Sequence, residues 1–453
     1  MAHSLSKSHK LIASAYRRSL DWCEREAEVF EAGDIEGDEQ ARLRLRDHVA
    51  ERNRAALLDT HHSDHSVQNF SSHSIPDLDG ANGLAISSDG RSIYVTSGQA
   101  SALLIFDRDP ASGSIRLMDV LHHDDAGIDR MREPHGVAVS PDGNSVVVAD
   151  RWHDALVFFR RDQSSGALDP EYRISDEQGN AVGLQEPFNL CFSPDGNQLL
   201  VGVTEFLEAN LLVFSRDQTS GRFTFSQSLK SELEKCEGLR IPQSVAFAPD
   251  GNGFYVTAYN GNVLGVFERS LTGGTFHLSQ LLEDGVDDVR GLEGTEDVAV
   301  SSDGLSVLVV GHGRGDLCVF HRDAASGKLV FDRGSEDRLR NGRVTGGAFG
   351  VAISAGGDRV FVSGRGGDLI DLWHRDPKNG NLIFGRTLGS PGQGDSSGGG
   401  VRNIAVTPDG RSLILVDYQN GLLAVFDLAE GTRRLAELGA TLMRFDGEPF
   451  KVF

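Results

Sequence analysis

Cysteine is scarce in this chain: four in 453 residues, Cys23, Cys191, Cys236 and Cys318, with no CxxC pair among them. That argues against a disulfide framework. Cys191 and Cys318 fall at expected strand positions, where a thiol behaves as a small buried apolar group. Positive charge is short as well. Lys and Arg total 44 against 66 Asp and Glu, a net charge of −22, so neither nucleic acid nor an anionic membrane surface is an expected partner. No apolar run approaches the roughly 18 residues that a transmembrane helix needs, and the N-terminus has no apolar signal core. The expectation is a cytoplasmic protein. Motifs of nucleotide and metalloprotease chemistry are missing too: no P-loop, no GxGxxG opening a helix, no HExxH. One GxSxG match, Gly394–Gly398, sits in a run dense in Gly and Ser (389–400). A hydrolase elbow needs a strand-to-helix turn there, so an inter-blade loop is expected instead.

What the chain has is repetition. A short apolar run, a Ser-Pro-Asp-Gly-like turn and a second apolar run recur seven times, with turns starting at Ser87, Ser140, Ser193, Ala248, Ser301, Ser354 and Thr407. Successive copies lie 53, 53, 55, 53, 53 and 53 residues apart. A period near 50 with several short strands per copy predicts an all-β, seven-bladed β-propeller of four-stranded blades. In the second copy the strands are expected at 136–140, 145–149, 155–159 and about 168–174, rich in the branched residues that strands favour. Asp-Gly closes the first hairpin because glycine accepts the positive φ such turns require. A second phrase, an aromatic followed by x-Arg-Asp, recurs as Phe106–Asp109, Phe214–Asp217, Phe320–Asp323 and Trp373–Asp376. Recurrence points to scaffold, with Arg and Asp dressing an exposed hairpin.

Residues 1–65 stand outside the repeat. Leu11, Ala15, Leu20, Cys23 and Ala27 approximate one helical stripe, and Asp38 is a candidate N-cap for a second helix carrying Leu43, Leu45, Val49 and Leu57. The expectation is a helical N-terminal extension over 1–65 that lies against the propeller and covers a face or an edge, with a surface for a protein partner as the alternative, and a propeller over 66–453. Segment 66–74 is expected to supply an outer strand to the last blade, since an open sheet edge invites pairing with other chains. Arg434–Met443 is the competing outer strand.

Function belongs where the seven copies differ. The residues that open the inner strands at one channel mouth are Asn82, His135, Phe188, Gln243, Glu296, Phe349 and Arg402. On the same rim, just after the second strands, come Gly98, Arg151, Thr204, Tyr259, His312, Arg365 and Tyr418. His135 has the chemistry of an acid or base near neutral pH, and Glu296 that of a second one. Arg402, with Arg151 and Arg365, can grip a carboxylate or phosphate through the guanidinium fork. Gln243, Tyr259, His312, Tyr418 and Asn82 are candidate substrate contacts. No cofactor is required by this set, although His135 and Glu296 could share a divalent metal in the channel. The clusters His61-His62-Ser63-Asp64-His65 and His122-His123-Asp124-Asp125 are expected as solvated loops rather than metal sites.

The phrase Glu133-Pro-His135-Gly-Val-Ala-Val-Ser-Pro-Asp-Gly143, with Val146–Asp150 and Val157–Phe159 after it, resembles the seven-bladed lactonase family over about residues 66–445. Propeller-type 6-phosphogluconolactonases and fungal carboxymuconate-lactonizing enzymes belong to that family. Pro-His is intact here only at Pro134-His135, while Pro187-Phe188 and Pro242-Gln243 keep the proline alone. The resemblance implies an enzyme that hydrolyses or forms a small anionic lactone in the channel funnel. Two other uses of a propeller stand beside it: a non-catalytic scaffold that docks a protein, and a small-anion or metal binder.

Overall fold

The computed structural model describes residues 75–450, apart from 124–130, 177–182, 205–209, 235–236, 240–241, 271–273, 314–316, 334–346, 365–368, 390–399, 419–420, 429–440 and 444–448. The N-terminal stripe, segment 66–74, Cys23, Cys236, the GxSxG run and the His61 cluster lie outside the described residues. The unit His73–Phe453 is a seven-bladed propeller in which each blade is one antiparallel sheet. In the second blade the strands are Pro134–Val139, Ser145–Asp150, Ala155–Arg161 and Leu168–Ser175. The inner one starts two residues before the expected place and takes in Pro134 and His135. Each inner strand contacts the next, and the seventh, Val401–Val406, returns to the first, Ala81–Ile86. Apolar clusters fill the spaces between blades, among them Ile93, Val95 and Phe106 of blade one packed with Ile414, Val416 and Val425 of blade seven. Among the described residues no helix is long and apolar enough to cross a membrane.

The repeated turns behave as their sequence predicts. Gly143 has φ 71°, and the Ser140 side chain donates to Asp142 at 2.5 Å while accepting from the Ser145 amide at 2.9 Å. The other six turn glycines share that positive φ. Blade six lacks the turn aspartate, and Ser354 there donates instead to Asp358 at 2.8 Å.

Thr441–Met443, the end of the competing outer-strand candidate, pairs with the third strand of blade seven, Leu422–Asp427, while segment 66–74 lies outside the described residues. The Gly80 amide donates to the Tyr418 carbonyl at 3.1 Å across the seam between blades one and seven. One expectation needs correction, the reading of the Arg-Asp phrase. Its arginines are buried in blades one, five and six, Arg108 at 1% exposure and Arg375 at 3%, and half-buried at Arg216. Each reaches back one blade to the turn aspartate there: Arg161 to Asp89 at 3.1 Å, Arg216 to Asp142 at 3.0 Å, Arg322 to Asp250 at 2.6 Å, Arg375 to Asp303 at 2.8 Å and Arg108 to Asp409 at 3.0 Å. The neighbouring aspartate of the phrase folds its own hairpin, as Asp109 does by accepting from the Ala111 amide and the Ser112 hydroxyl. Arg269 reaches Gln198 at 2.5 Å instead. Between blades six and seven both halves of this latch are absent, since Gly356 stands in place of the aspartate and Leu428 in place of the arginine. Arg359 crosses that seam, donating to the Gly410 carbonyl at 2.9 Å.

Candidate functional site

Every inner strand loses register with its neighbour at the same place. The breaks fall between Ala81 and Leu84, Pro134 and Val137, Pro242 and Ser244, Thr295 and Asp297, Ala348 and Gly350, and Val401 and Asn403, with the same break beside Pro187 in blade three. A bulge leaves one residue unpaired and re-aims its side chain. The bulged residues are the seven that sequence differences single out, and all seven line one cavity: Asn82, His135, Phe188, Gln243, Glu296, Phe349 and Arg402. The cavity measures about 110 Å³.

One residue further along each strand lies a second ring that the sequence reading missed. Its template is glycine, at Gly83, Gly136 and Gly350, where the next blade comes so close that a Cβ on Gly136 would stand 2.7 Å from the Phe188 carbonyl oxygen. Where the template is broken, Asn189, Ser244, Asp297 and Asn403 line the cavity and tie inner strands together. Asn189 donates to the Gln243 carbonyl, and Asn403 to the Asn82 carbonyl at 3.4 Å. Asp297 joins three blades, accepting from the Ser244 hydroxyl at 2.7 Å, its neighbour Val298 at 2.8 Å and the Val351 amide at 3.0 Å. Burial pushes the Asp297 carboxyl above its usual range, against those three hydrogen bonds. Asking where this second position departs from glycine would have found all four.

His135 lies face to face with Phe188, ring centroids 3.6 Å apart. Burial pushes its pKa well below the ordinary histidine value, and the positive charges of Arg402 and then Arg151 push the same way, opposed by a hydrogen bond to the Phe188 backbone. The imidazole is therefore neutral at pH 7 and can accept a proton. Arg402 spreads over the Tyr418 ring at 5.0 Å, a cation–π contact, and the Tyr418 hydroxyl accepts from Gln99 at 3.2 Å.

The outer rim is less convergent. Arg151 binds Glu186 at 2.8 Å and is not part of the cavity wall, although its charge reaches His135. Glu186 holds a left-handed backbone, φ 45°, which sequence spacing does not reveal. Tyr259 and His312 form an aromatic arm that leads to Phe349, with centroids 6.0 Å and 5.6 Å apart. Like Tyr418, they stand outside the lining. Arg365 lies outside the described residues.

A family model described as "Lactonase, 7-bladed beta-propeller" matches residues 56–236 and 231–384. The chain belongs to that family. Within this lactonase family it is similar to the 6-phosphogluconolactonase of Bacillus subtilis (strain 168), 28% identical over 160 residues, which are 35% of this chain and 44% of that protein. The matched stretch spans less than half of the curated relative. Among solved structures it resembles the periplasmic gluconolactonase PpgL of Pseudomonas aeruginosa, with TM-score 0.50, 20% identity and coverage of 72% of this chain and 88% of that one. It also resembles the hydrazine synthase of Kuenenia stuttgartiensis, with TM-score 0.56, 15% identity and coverage of 80% and 99%. At such identities these structures show a shared fold alone, and the activities they are named for differ.

Among the described residues no three His, Cys, Asp or Glu side chains gather as a metal group, so the expected His135–Glu296 pair gains no third such ligand. His122 closes an outer strand, Ile115–His122, instead of lying in a loop, and pairs with Asp77 at 3.0 Å. His123 stacks on His153 at 5.6 Å, whereas Asp124 and Asp125 lie outside the described residues. Cys318 is buried and Cys191 half-buried, both as free thiols.

Proposed function

We propose that the chain hydrolyses, or in reverse closes, a small lactone bearing an acidic group in the channel funnel. One observation carries this: a histidine held neutral shares a cavity with a carboxylate, Glu296, and a guanidinium, Arg402. One ring nitrogen of His135 is engaged with the Phe188 backbone, which leaves the other for proton transfer. In hydrolysis, His135 takes a proton from water as the water oxygen bonds to the lactone carbonyl carbon. The carbonyl electron pair moves onto oxygen, where Arg402 stabilises the negative charge. The tetrahedral adduct then re-forms the carbonyl and breaks the ring C–O bond. The departing alkoxide receives the proton from the imidazolium, with Glu296 as the assisting acid or base. Ring closure runs the same steps backwards.

Proton release on a panel of lactones tests this reading. His135→Ala and Arg402→Ala should each lower kcat/KM by roughly 10²-fold or more with unchanged circular dichroism. Retained turnover in both variants would move the chemistry out of the funnel.

A further inference from the structure

The described residues of the funnel carry little positive charge. Among the described residues lining it Arg402 is the one cation, while Glu296 and Asp297 bring two carboxyl groups to the same wall. His135 adds none, because burial and the arginines keep its ring neutral. Arg151 is bound to Glu186, and in each described blade the residue after the second strand stays off the lining. A phosphate monoester brings about −1.5 to −2 charges at neutral pH, which one guanidinium flanked by carboxyl groups does not balance. A single carboxylate is the charge that one guanidinium matches.

Hydrogen bonding adds a second feature of the ligand. Asn82 is 8% exposed, and its side-chain oxygen is buried with no hydrogen-bond partner. An acceptor left unmade in a cavity wall is costly, and a hydroxyl on a bound ligand is a donor that would satisfy it. Sites that bond a substrate hydroxyl discriminate strongly against analogues lacking it.

We propose that the funnel selects a hydroxylated lactone carrying at most one negative charge, with Asn82 accepting from a ring hydroxyl and Arg402 matching the single charge or the carbonyl oxygen. Phosphorylated lactones are disfavoured. This rests on the lactonase reading above and narrows its substrate class.

The test compares kcat/KM for glucono-1,5-lactone, a glucarolactone and 6-phosphogluconolactone, with δ-valerolactone as the ring without hydroxyls, in the full chain and in Asn82→Leu. The two non-phosphorylated sugar lactones should exceed the phosphorylated one by about tenfold. In Asn82→Leu the ratio of sugar lactone to δ-valerolactone should fall about tenfold, and Asn82→Asp, which keeps an acceptor, should restore part of it for the uncharged gluconolactone. A preference for 6-phosphogluconolactone, or a ratio unmoved in Asn82→Leu, overturns the proposal. If the wild type turns over none of them, the lactonase reading fails, and calorimetric titration with gluconate and 6-phosphogluconate decides the selectivity separately. Tighter binding of gluconate upholds it, and tighter binding of 6-phosphogluconate overturns it.

Discussion

The two ends of the inner strands obey opposite rules. At the Asp-Gly end one arrangement is copied blade after blade: turn glycine at positive φ, turn hydroxyl on turn aspartate, and a buried arginine arriving from the next blade. At the mouth the backbone is copied just as faithfully, with a bulge in every inner strand, yet the seven side chains it presents are six different residue types. The scaffold end shares one solution because each blade faces the same packing problem. The mouth uses a constant bulge to display variable chemistry toward a single small volume. Sameness of backbone with difference of side chain is thus what sets the mouth apart from the scaffold end.

Breaking one end should leave the other standing. Arg375→Ala strips a fully buried guanidinium from Asp303, Ser306 and the Gly357 carbonyl. It should cost about 3 kcal/mol, read as a lower urea midpoint, while the preference among ligands stays unchanged. A loss confined to activity would instead tie the latch to the mouth.

The two ends should also answer pH in different windows. The folded state depresses the His135 pKa, so an unfolded chain, titrating near 6.5, binds a proton that the folded chain refuses. Stability from this group is present above about pH 6.5 and falls as pH drops below it. At the scaffold end burial opposes ionisation of Asp142, but bonds from Ser140, the Asn144 amide and Arg216 outweigh it and hold the pKa at about 2. Its contribution is present above the unfolded carboxyl value and is lost as pH falls through about 2. Melting temperature against pH should lose the upper slope in His135→Asn and the lower one in Asp142→Asn. Identical profiles in both variants would contradict the assignment.

The smallest expected effect fills a gap in the copying. Arg161 and Arg322 each donate their Nε to a tyrosine of the preceding blade, Tyr94 at 2.8 Å and Tyr255 at 2.7 Å. Arg108 has a buried Nε without a partner, and Ile414 occupies the equivalent place in blade seven. Ile414→Tyr should stabilise by about 1 kcal/mol in a denaturation series. A loss would mean that the ring has no room there.

Much of this was legible in the sequence. The repeat period predicts the fold, and the strand positions follow from the turns to within two residues in blade two. Differences among aligned copies pick out the seven mouth residues because equivalence in a repeat is equivalence in space. Contacts between blades escaped that logic. Arg161 stands next to Asp162 in the chain but binds Asp89, since a β-hairpin sends consecutive side chains to opposite faces. Arg151 looked like a substrate clamp because Glu186, its partner, belongs to the next repeat and is turned toward it by an unusual backbone. The outer strand of blade seven was ambiguous because two segments carried comparable patterns and only pairing decides between them.

The Arg108–Asp409 latch has the same chemistry as the others, but it spans 301 residues of chain where the Arg161–Asp89 latch spans 72. Loop-closure entropy rises by about 0.6 kcal/mol per doubling of length, so closing the seam between blades seven and one costs more than making the same latch between consecutive blades. Blade one packs Leu78, Ala81 and Ile93 against Ile414 and Val416 of the last blade, so that face waits for them to arrive. On a ribosome, which releases the N-terminal blades first, that apolar face is the surface a nascent chain has to protect longest.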